Sequence, residues 1–159
     1  MIKIYIAGPS VFAKNAKEIG EEYKAICKEY YCKGLYPLDS ECEAAGILPM
    51  SKKIYLANTQ DIERADYVVA DLNPFRGQCM DDGTAFEIGY AVHAKKPVYG
   101  YISDARPLND KIGTEDENGF NVENFGLPIN LMIAESTHIV EGDFEDCIRT
   151  MIRLEGLEH

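Results

Sequence analysis

The chain has 159 residues, of which 27 are acidic and 16 are basic, and its formal net charge is −11 at pH 7. This length suits one domain with a core of its own. The negative charge argues against a nucleic-acid polymer or an anionic membrane as a partner, because both bind basic surfaces, whereas a small neutral ligand would not be repelled.

The cysteines, histidines and apolar runs exclude further classes of protein. Five cysteines without a C-x-x-C pair, together with three scattered histidines, predict free thiols in a reducing cytoplasm and no metal or other cofactor. The chain opens with a strand-like segment rather than a signal peptide, and no apolar run approaches the length of a membrane span. We therefore expect a soluble cytoplasmic protein that makes no membrane contact.

The first half of the chain predicts two strands that alternate with two helices. In chain order these elements are a strand, a helix, a strand and a helix, over residues 2–7, 16–33, 35–38 and 54–64. Gly8-Pro9 ends the first strand, and Gly34 is interpreted as the residue that starts the second. A loop is predicted over residues 39–49, and Ser51 is a suitable N-cap for the second helix.

The second half continues the alternation. Its predicted elements are a strand, a helix, two further strands and a closing helix, over residues 67–71, 84–95, 98–101, 137–140 and 143–154. Thr84 is expected to begin the first of these helices, and Pro97 precedes the strand that follows it. Residues 102–126 form a long acidic stretch that contains glycines, which is consistent with a lid, an interface or an ordinary mobile insertion.

Strands that alternate with helices predict an α/β protein. We expect a single domain over residues 1–156, with a flavodoxin-like five-stranded parallel sheet and helices on both faces. Residues 157–159 resemble the start of a vector-encoded polyhistidine tail. In an open parallel sheet, ligands bind beyond the carboxyl ends of the strands, near the point where the strand order reverses.

Polar residues gather at this predicted edge of the sheet. Tyr5 and Gly8 lie at the end of the first strand, Asp71 ends the third, and the next loop carries Asp81, with Glu87 beyond it. The segment after the first strand lacks the glycine pattern and the lysine of a phosphate-binding loop. The edge therefore predicts a pocket for an uncharged polar ligand.

Glu87 lies in the segment DDGTAFEIGYA, among apolar side chains that are expected to pack inward. A partly buried glutamate near other acids should resist ionisation and be reactive. Thr84 and Glu87 also match a T-x-x-E capping box, in which the glutamate only closes the start of the helix, and this segment alone favours the capping role. Cys79 is not favoured as a nucleophile, because no histidine is near it in the sequence.

Four segments follow one another along the chain in the order IYIAGPSVF, ADYVVADLNPFRG, DDGTAFEIGYA and GLPINLMI. Together they resemble the nucleoside 2'-deoxyribosyltransferases over nearly the whole chain. The resemblance implies an enzyme that exchanges the purine or pyrimidine base of a 2'-deoxynucleoside for another free nucleobase. By this match Glu87 is the nucleophile that holds the deoxyribosyl group covalently, Asp81 binds the 5'-hydroxyl, and Tyr5 positions the nucleophile.

The resemblance also implies residues for the base and for a neighbouring subunit. Asn130 and Met132 match residues donated to a neighbour's site, which implies a homo-oligomer, either a dimer or a trimer of dimers. Asn58 stands where some members carry an aspartate. Since an amide cannot protonate the leaving base, Asp61, Asp71, water or the base's own tautomer would supply that proton. The remaining substrate-binding residues implied by the match are Gly8, Gly83, Asn73, Phe75 and Arg76.

Two other activities stay open at this point. A hydrolase of deoxynucleosides or of their monophosphates would share the covalent intermediate but let water reach it. The first loop contains no arginine, which argues against a hydrolase that requires the phosphate. A non-catalytic nucleoside-binding protein would keep the pocket without the reaction.

Overall fold

A computed structural model of the protein describes residues 1–40 and 47–158. Cys42, His159 and part of the predicted loop over residues 39–49 lie outside this range. Within it, five parallel strands form a sheet in the order β2-β1-β3-β4-β5, which confirms the predicted flavodoxin-like topology. The strands are β1 Ile2–Ala7, β2 Cys32–Leu35, β3 Tyr67–Asp71, β4 Val98–Ile102 and β5 His138–Glu141.

Helices connect the strands and cover both faces of the sheet, as predicted. They are α1 Ala16–Glu29, α2 Met50–Arg64, α3 Asp82–His93, α4 Leu108–Ile112, α5 Leu131–Ala134 and α6 Phe144–Leu154. A short 3-10 helix over Pro9–Phe12 follows β1. No helix in the described ranges is both long enough and apolar enough to cross a bilayer.

The alternation of side chains along β1 divides the core into two layers. Ile4 and Ile6 pack in the layer that contains buried residues of α1 and α6. Tyr5 and Ala7 point to the opposite face, where buried residues of α2 and α3 lie. Tyr5 therefore shares a layer with the helix that carries Glu87. Leu157, the first residue of the predicted tail, packs against the α1–α6 layer.

The predicted position of β2 is wrong by three residues. Helix α1 ends at Glu29 rather than at residue 33, and Tyr31 adopts a φ of 57°, which is incompatible with a continuing right-handed helix. Gly34 lies inside β2, opposite Ile4, instead of preceding the strand. A Cβ atom at Gly34 would come within 3.0 Å of the Ile6 side chain, so this glycine permits close packing and does not break the element.

Two helix starts also differ from the prediction. Helix α2 begins at Met50 after Pro49, so Ser51 is not its N-cap. In α3 the N-cap is Asp81, whose Oδ2 accepts hydrogen bonds from the backbone nitrogen and the hydroxyl of Thr84, each at 2.8 Å. Thr84 thus lies in the first turn and does not cap it, and the T-x-x-E capping box is wrong.

The acidic stretch over residues 102–126 contains α4 and is tied to the chain that follows it. The Leu108 nitrogen donates to the Leu127 carbonyl at 2.8 Å. The Lys111 ammonium donates to the carbonyls of Asp104 and Pro128, at 3.1 and 2.6 Å. These bonds fix the two ends of the stretch against each other beside the carboxyl end of β4.

Candidate active site

A cleft of about 390 Å³ opens beyond the carboxyl ends of β1 and β2, between the 3-10 helix, α2 and the start of α3. Strand β1 lies between β2 and β3, so the connection after β1 runs to one side of the sheet and the connection after β2 runs back to the other side of β1. The cleft lies at this reversal of strand order. The residues that line it are Gly8, Val11, Phe12, Pro37, Leu38, Ile54, Asn58, Asp81, Gly83 and Glu87.

Glu87 is held at the floor of this cleft through one of its two oxygens. The Tyr5 hydroxyl donates to Oε1 at 2.7 Å, and the Asn58 side-chain nitrogen donates to the same oxygen at 3.4 Å. Neither bond uses Oε2. The carboxylate is therefore oriented from β1 and α2 while its second oxygen is left for a ligand.

Helix α3 places Glu87 at the border between core and cleft. Ile88 and Ala91 on the same helix are fully buried in the α2–α3 layer, and Glu87 next to them is only partly buried. Phe86 is exposed, contrary to the inward packing expected from the sequence, because the helix turns that side toward solvent. Glu87 thus has a protein environment on one side and the open cleft on the other.

The surroundings of Glu87 make its carboxyl group a weaker acid. Burial, and then the negative charge of Asp81, raise the pKa of Glu87 from 4.5 to about 7, and the hydrogen bonds from Tyr5 and Asn58 act in the opposite direction. Burial and the proximity of Glu87 raise the pKa of Tyr5 well above 10, so its hydroxyl stays protonated and remains a donor. Near neutral pH the Glu87 carboxyl group therefore exists in both its ionised and its protonated form, beside a neutral Tyr5 hydroxyl.

Asp81 both caps α3 through hydrogen bonds and lines the cleft. Both of its capping bonds to Thr84 use Oδ2, and the residue lines the cleft although it is mostly buried. Gly83 allows this arrangement, because a Cβ atom there would lie 3.2 Å from Asp81 Oδ2. The other carboxylate oxygen, Oδ1, is not used by the cap and can accept a hydrogen bond from a ligand.

Two of the residues assigned to the substrate, Asp71 and Asn73, lie in a turn instead and do not line the cleft. Asp71 Oδ1 accepts from the backbone and side-chain nitrogens of Asn73, at 2.9 and 2.7 Å. Asn73 Oδ1 in turn accepts from the backbone nitrogen and hydroxyl of Ser103, at 2.9 and 2.8 Å. This turn joins the ends of β3 and β4, which explains the residue types without a ligand.

Phe75 and Arg76 support the wall of the cleft from outside. The rings of Phe12 and Phe75 stack with their centroids 5.7 Å apart. The Arg76 guanidinium lies 5.1 Å from the Phe12 ring and 4.7 Å from the Phe75 ring. Of the three, Phe12 lines the cleft, and Phe75 and Arg76 pack against its ring.

Asp61 and the pair Asn130 and Met132 also lie away from the lining of the cleft. Asp61 is 3% exposed on α2, with Oδ1 3.7 Å from the Arg64 guanidinium. Asn130 caps α5, where its Oδ1 accepts from the Met132 nitrogen at 3.0 Å, and its amide donates to Glu123 at 3.0 Å. Met132 is 71% exposed. The cleft is therefore lined without these three side chains.

Sequence reasoning missed the apolar part of the cleft. Its members are Val11, Phe12, Pro37, Leu38 and Ile54. Pro37 and Leu38 directly follow β2, so the strand-end rule could have identified them had the strand been placed correctly. Together these side chains give one side of the cleft an apolar surface suited to a flat ring.

The cysteines in the described part of the chain are free thiols that do not line the cleft. Cys27, Cys32 and Cys147 are buried free thiols, and Cys79 is an exposed one. Within residues 1–40 and 47–158 no group of three or more histidine, cysteine, aspartate or glutamate side chains is arranged to hold a metal ion. The chemistry available at the cleft is that of Glu87 and its hydrogen-bonding neighbours.

Comparison with known proteins gives a consistent result. The family model described as nucleoside 2-deoxyribosyltransferase matches residues 4–132. The solved structure of a 2-desoxiribosyltransferase from Leishmania mexicana is 36% identical, with a TM-score of 0.83 and coverage of 96% of this chain and 98% of that one. An uncharacterized protein of Schizosaccharomyces pombe is 35% identical over 113 residues, and the match spans 69% of this chain but only about half, 54%, of that curated relative.

More distant structures share the fold alone. A 2-deoxyribosyltransferase from Bacillus psychrosaccharolyticus is 20% identical with a TM-score of 0.59, covering 91% of this chain and 88% of that one. A CMP N-glycosidase from Clostridium botulinum is 13% identical with a TM-score of 0.52, covering 96% and 98%. The same architecture therefore occurs in proteins named as transferases and in one named as a glycosidase.

Proposed function

The chain belongs to the nucleoside 2-deoxyribosyltransferase family, and on that premise we propose that it exchanges the base of 2'-deoxynucleosides through a covalent intermediate on Glu87. The observation that carries this proposal is that Glu87 lines the cleft while Tyr5 and Asn58 hold its Oε1, which leaves Oε2 without a hydrogen bond to the described residues. The substrates are 2'-deoxynucleosides and free purine or pyrimidine bases.

In the first step, Glu87 Oε2 attacks the anomeric carbon of the deoxynucleoside. The bond between this carbon and the base nitrogen breaks, and its electron pair leaves with the base. Because the sugar passes through an oxocarbenium-like transition state, a negatively charged oxygen nearby stabilises it. The product of the step is a deoxyribosyl ester of Glu87 and a free base.

Tyr5 and the raised pKa of Glu87 set the reactivity of this carboxylate. The Tyr5 hydroxyl keeps Oε1 in place, so that Oε2 points into the cleft with little loss of freedom during reaction. A carboxylate with a pKa of about 7 is more basic, and hence more nucleophilic, than an ordinary one, yet a large fraction is ionised at neutral pH.

Asp81 and the apolar wall supply the binding interactions. Asp81 Oδ1 accepts a hydrogen bond from the 5'-hydroxyl of the sugar, in the part of the cleft that Gly8 and Gly83 also line. The base lies against Phe12 and the other apolar residues of the cleft, which tolerate either ring size because they offer surface and few hydrogen bonds.

The proton for the leaving base does not come from a side chain of α2 or β3 in this mechanism. Asn58 faces the cleft but carries an amide, while Asp61 and Asp71 do not line it. The base therefore leaves as an anion and takes its proton from water. In the second step an incoming base gives up its ring N–H proton to water and attacks the anomeric carbon from the vacated side. Glu87 is released as a carboxylate, and the stereochemistry is retained.

A neighbouring subunit completes the site in this proposal. Asn130 and the exposed Met132 lie outside the cleft of their own subunit, which is consistent with their donation to a neighbour. The active form is then a homo-oligomer, a dimer or a trimer of dimers. Mixing the inactive Glu87→Ala and Asn130→Ala variants should restore about a quarter of wild-type activity, since half the dimers are mixed and each has one intact site. If the mixture stays inactive while mixed oligomers form, subunit sharing is wrong.

The reaction itself is tested by incubating the protein with thymidine or deoxyadenosine and a second free base, followed by chromatography of the nucleosides. Formation of the exchanged deoxynucleoside without phosphate supports the transferase. Release of free deoxyribose alone shows a hydrolase, and binding without turnover shows a non-catalytic protein. Glu87→Ala is the matched control, and its fold is checked by circular dichroism.

A further inference from the structure

Close to Glu87, two buried side-chain oxygen atoms on α2 have no hydrogen-bond partner among the described residues. They are Asn58 Oδ1 and Asp61 Oδ2, and both are acceptors. A buried acceptor without a partner is unfavourable, and two of them three residues apart on one helix occupy the same side of that helix. Asp61 is 3% exposed, so its side chain is closed to bulk solvent.

The same two residues belong to the hydrogen-bond cluster of Glu87. Asn58 donates to Glu87 Oε1 over 3.4 Å, near the upper limit for such a bond. The charge of Asp61 contributes to the raised pKa of Tyr5, which places this carboxylate within electrostatic reach of the hydroxyl that contacts Glu87. A carboxamide has a donor and an acceptor at nearly identical positions, so reversing it exchanges the two without moving the helix.

We propose that the Asn58 carboxamide is a two-position switch set by the proton on Glu87, with Asp61 as the positioning residue for the second position. With Glu87 ionised, Asn58 Nδ2 donates to Glu87, as the structure shows. With Glu87 protonated, the amide is reversed: Oδ1 accepts the proton of the Glu87 carboxyl and Nδ2 donates to Asp61 Oδ2.

In the reversed position, Asn58 Oδ1 and Asp61 Oδ2, the two oxygens that have no partner in the part of the chain that the structure describes, each gain one. Asp61 therefore favours the protonated, unreactive form of the nucleophile. The other groups facing Glu87 are Tyr5 from β1 and Asp81 from the start of α3, and the 3-10 helix over Pro9–Phe12 carries no charged side chain. Arg64 contacts the opposite oxygen of Asp61, Oδ1, and leaves Oδ2 available.

Replacing Asp61 by asparagine tests the switch, which rests on the proposed role of Glu87. In Asp61→Asn, the new amide donates to Asn58 Oδ1 and holds Asn58 in its donating position, so the protonated form of Glu87 loses its support. In the pH profile of kcat/KM, the acid limb should move to lower pH by about one unit. The ratio of kcat/KM at pH 5.5 to kcat/KM at pH 8.5 should therefore be about eightfold higher than in wild type.

Two variants separate this effect from charge and from stability. Glu63→Gln removes one negative charge from the exposed side of α2 and should leave the acid limb in place. Asp61→Leu removes the acceptor without supplying a donor and should shift the limb less than Asp61→Asn. Equal shifts in the leucine and asparagine variants, or a uniform loss of activity with no shift, would overturn the proposal.

A second measurement does not depend on turnover. In nitrogen-15-labelled protein, the Asn58 side-chain amide signals, assigned with an Asn58→Ser variant, should titrate with the Glu87 pKa in wild type. In Asp61→Asn they should titrate about one pH unit lower and with a smaller change in chemical shift, because the amide no longer reverses. Signals that are constant in wild type would refute the switch even if exchange proceeds through Glu87. If the signals titrate but the protein shows no exchange activity, the switch would be supported and the proposed reaction would be refuted.

Discussion

Replacing Glu87 by glutamine should stabilise the protein, and the gain should grow with pH. The folded protein raises the pKa of Glu87 from 4.5 to about 7, so it binds the proton more tightly than the unfolded chain does. The stabilising effect of this group is fully present below pH 4.5 and is lost as the pH rises through 7. At 1.36 kcal/mol per pKa unit, ionised Glu87 costs the folded state about 3 kcal/mol above pH 8.

Glutamine is neutral at every pH and keeps an oxygen that can accept from Tyr5. We therefore expect Glu87→Gln to exceed wild type in unfolding free energy by about 1 kcal/mol at pH 5 and about 3 kcal/mol at pH 8.5. Urea unfolding at equal protomer concentration measures both values. Glu63→Gln on the exposed side of α2 is the matched control and should show no such trend. An equal difference at both pH values would refute the argument that burial raises the pKa of this carboxyl.

Three further substitutions probe the site and the sheet. Tyr5→Phe removes a hydrogen bond that lowers the pKa of Glu87, so the acid limb of kcat/KM should move to higher pH, and kcat/KM should fall by about 10- to 100-fold; an unmoved limb would contradict this role. Asp81→Ala removes the cap of α3 and should cost about 1–2 kcal/mol in urea unfolding while moving the acid limb to lower pH, and a variant as stable as wild type would exclude the cap. Gly100→Ala places a Cβ atom 2.5 Å from the Leu72 side chain inside the sheet, and the same unfolding experiment should show a loss of about 1–3 kcal/mol; unchanged stability would show that this packing is looser than described.

The sheet could be predicted because buried parallel strands are short apolar runs between helical patterns. The topology followed, since such strands require crossover connections. The predicted ends of individual strands and helices were wrong where one residue type can serve two structural purposes. Gly34 was interpreted as the start of the second strand, but it lies within β2, where a side chain would come too close to Ile6. Asp81 and Thr84 are both good capping residues, and their three-dimensional contacts decide between them.

The polar part of the site was predictable for a similar reason: strand ends converge, and Tyr5, Asp81 and Glu87 all lie at or near those ends. Asn73 and Asp71 obey the same rule, yet they bind each other in a turn, because short polar side chains after a strand readily satisfy the backbone. Phe12 of the apolar wall had no signature in the sequence, since exposed apolar residues cannot be told from core residues by type. Pro37 and Leu38 were missed because β2 was predicted three residues too late.

The central claim is that Glu87 carries the deoxyribosyl group, and trapping that intermediate tests it most directly. A 2'-fluoroarabinosyl nucleoside slows release of the sugar, because the fluorine destabilises the oxocarbenium-like transition state. After brief reaction and proteolysis, mass spectrometry should find one fluorinated sugar on the peptide that contains Glu87, and none in the Glu87→Gln variant. An unmodified Glu87 peptide from protein that is turning over the deoxynucleoside would contradict the account.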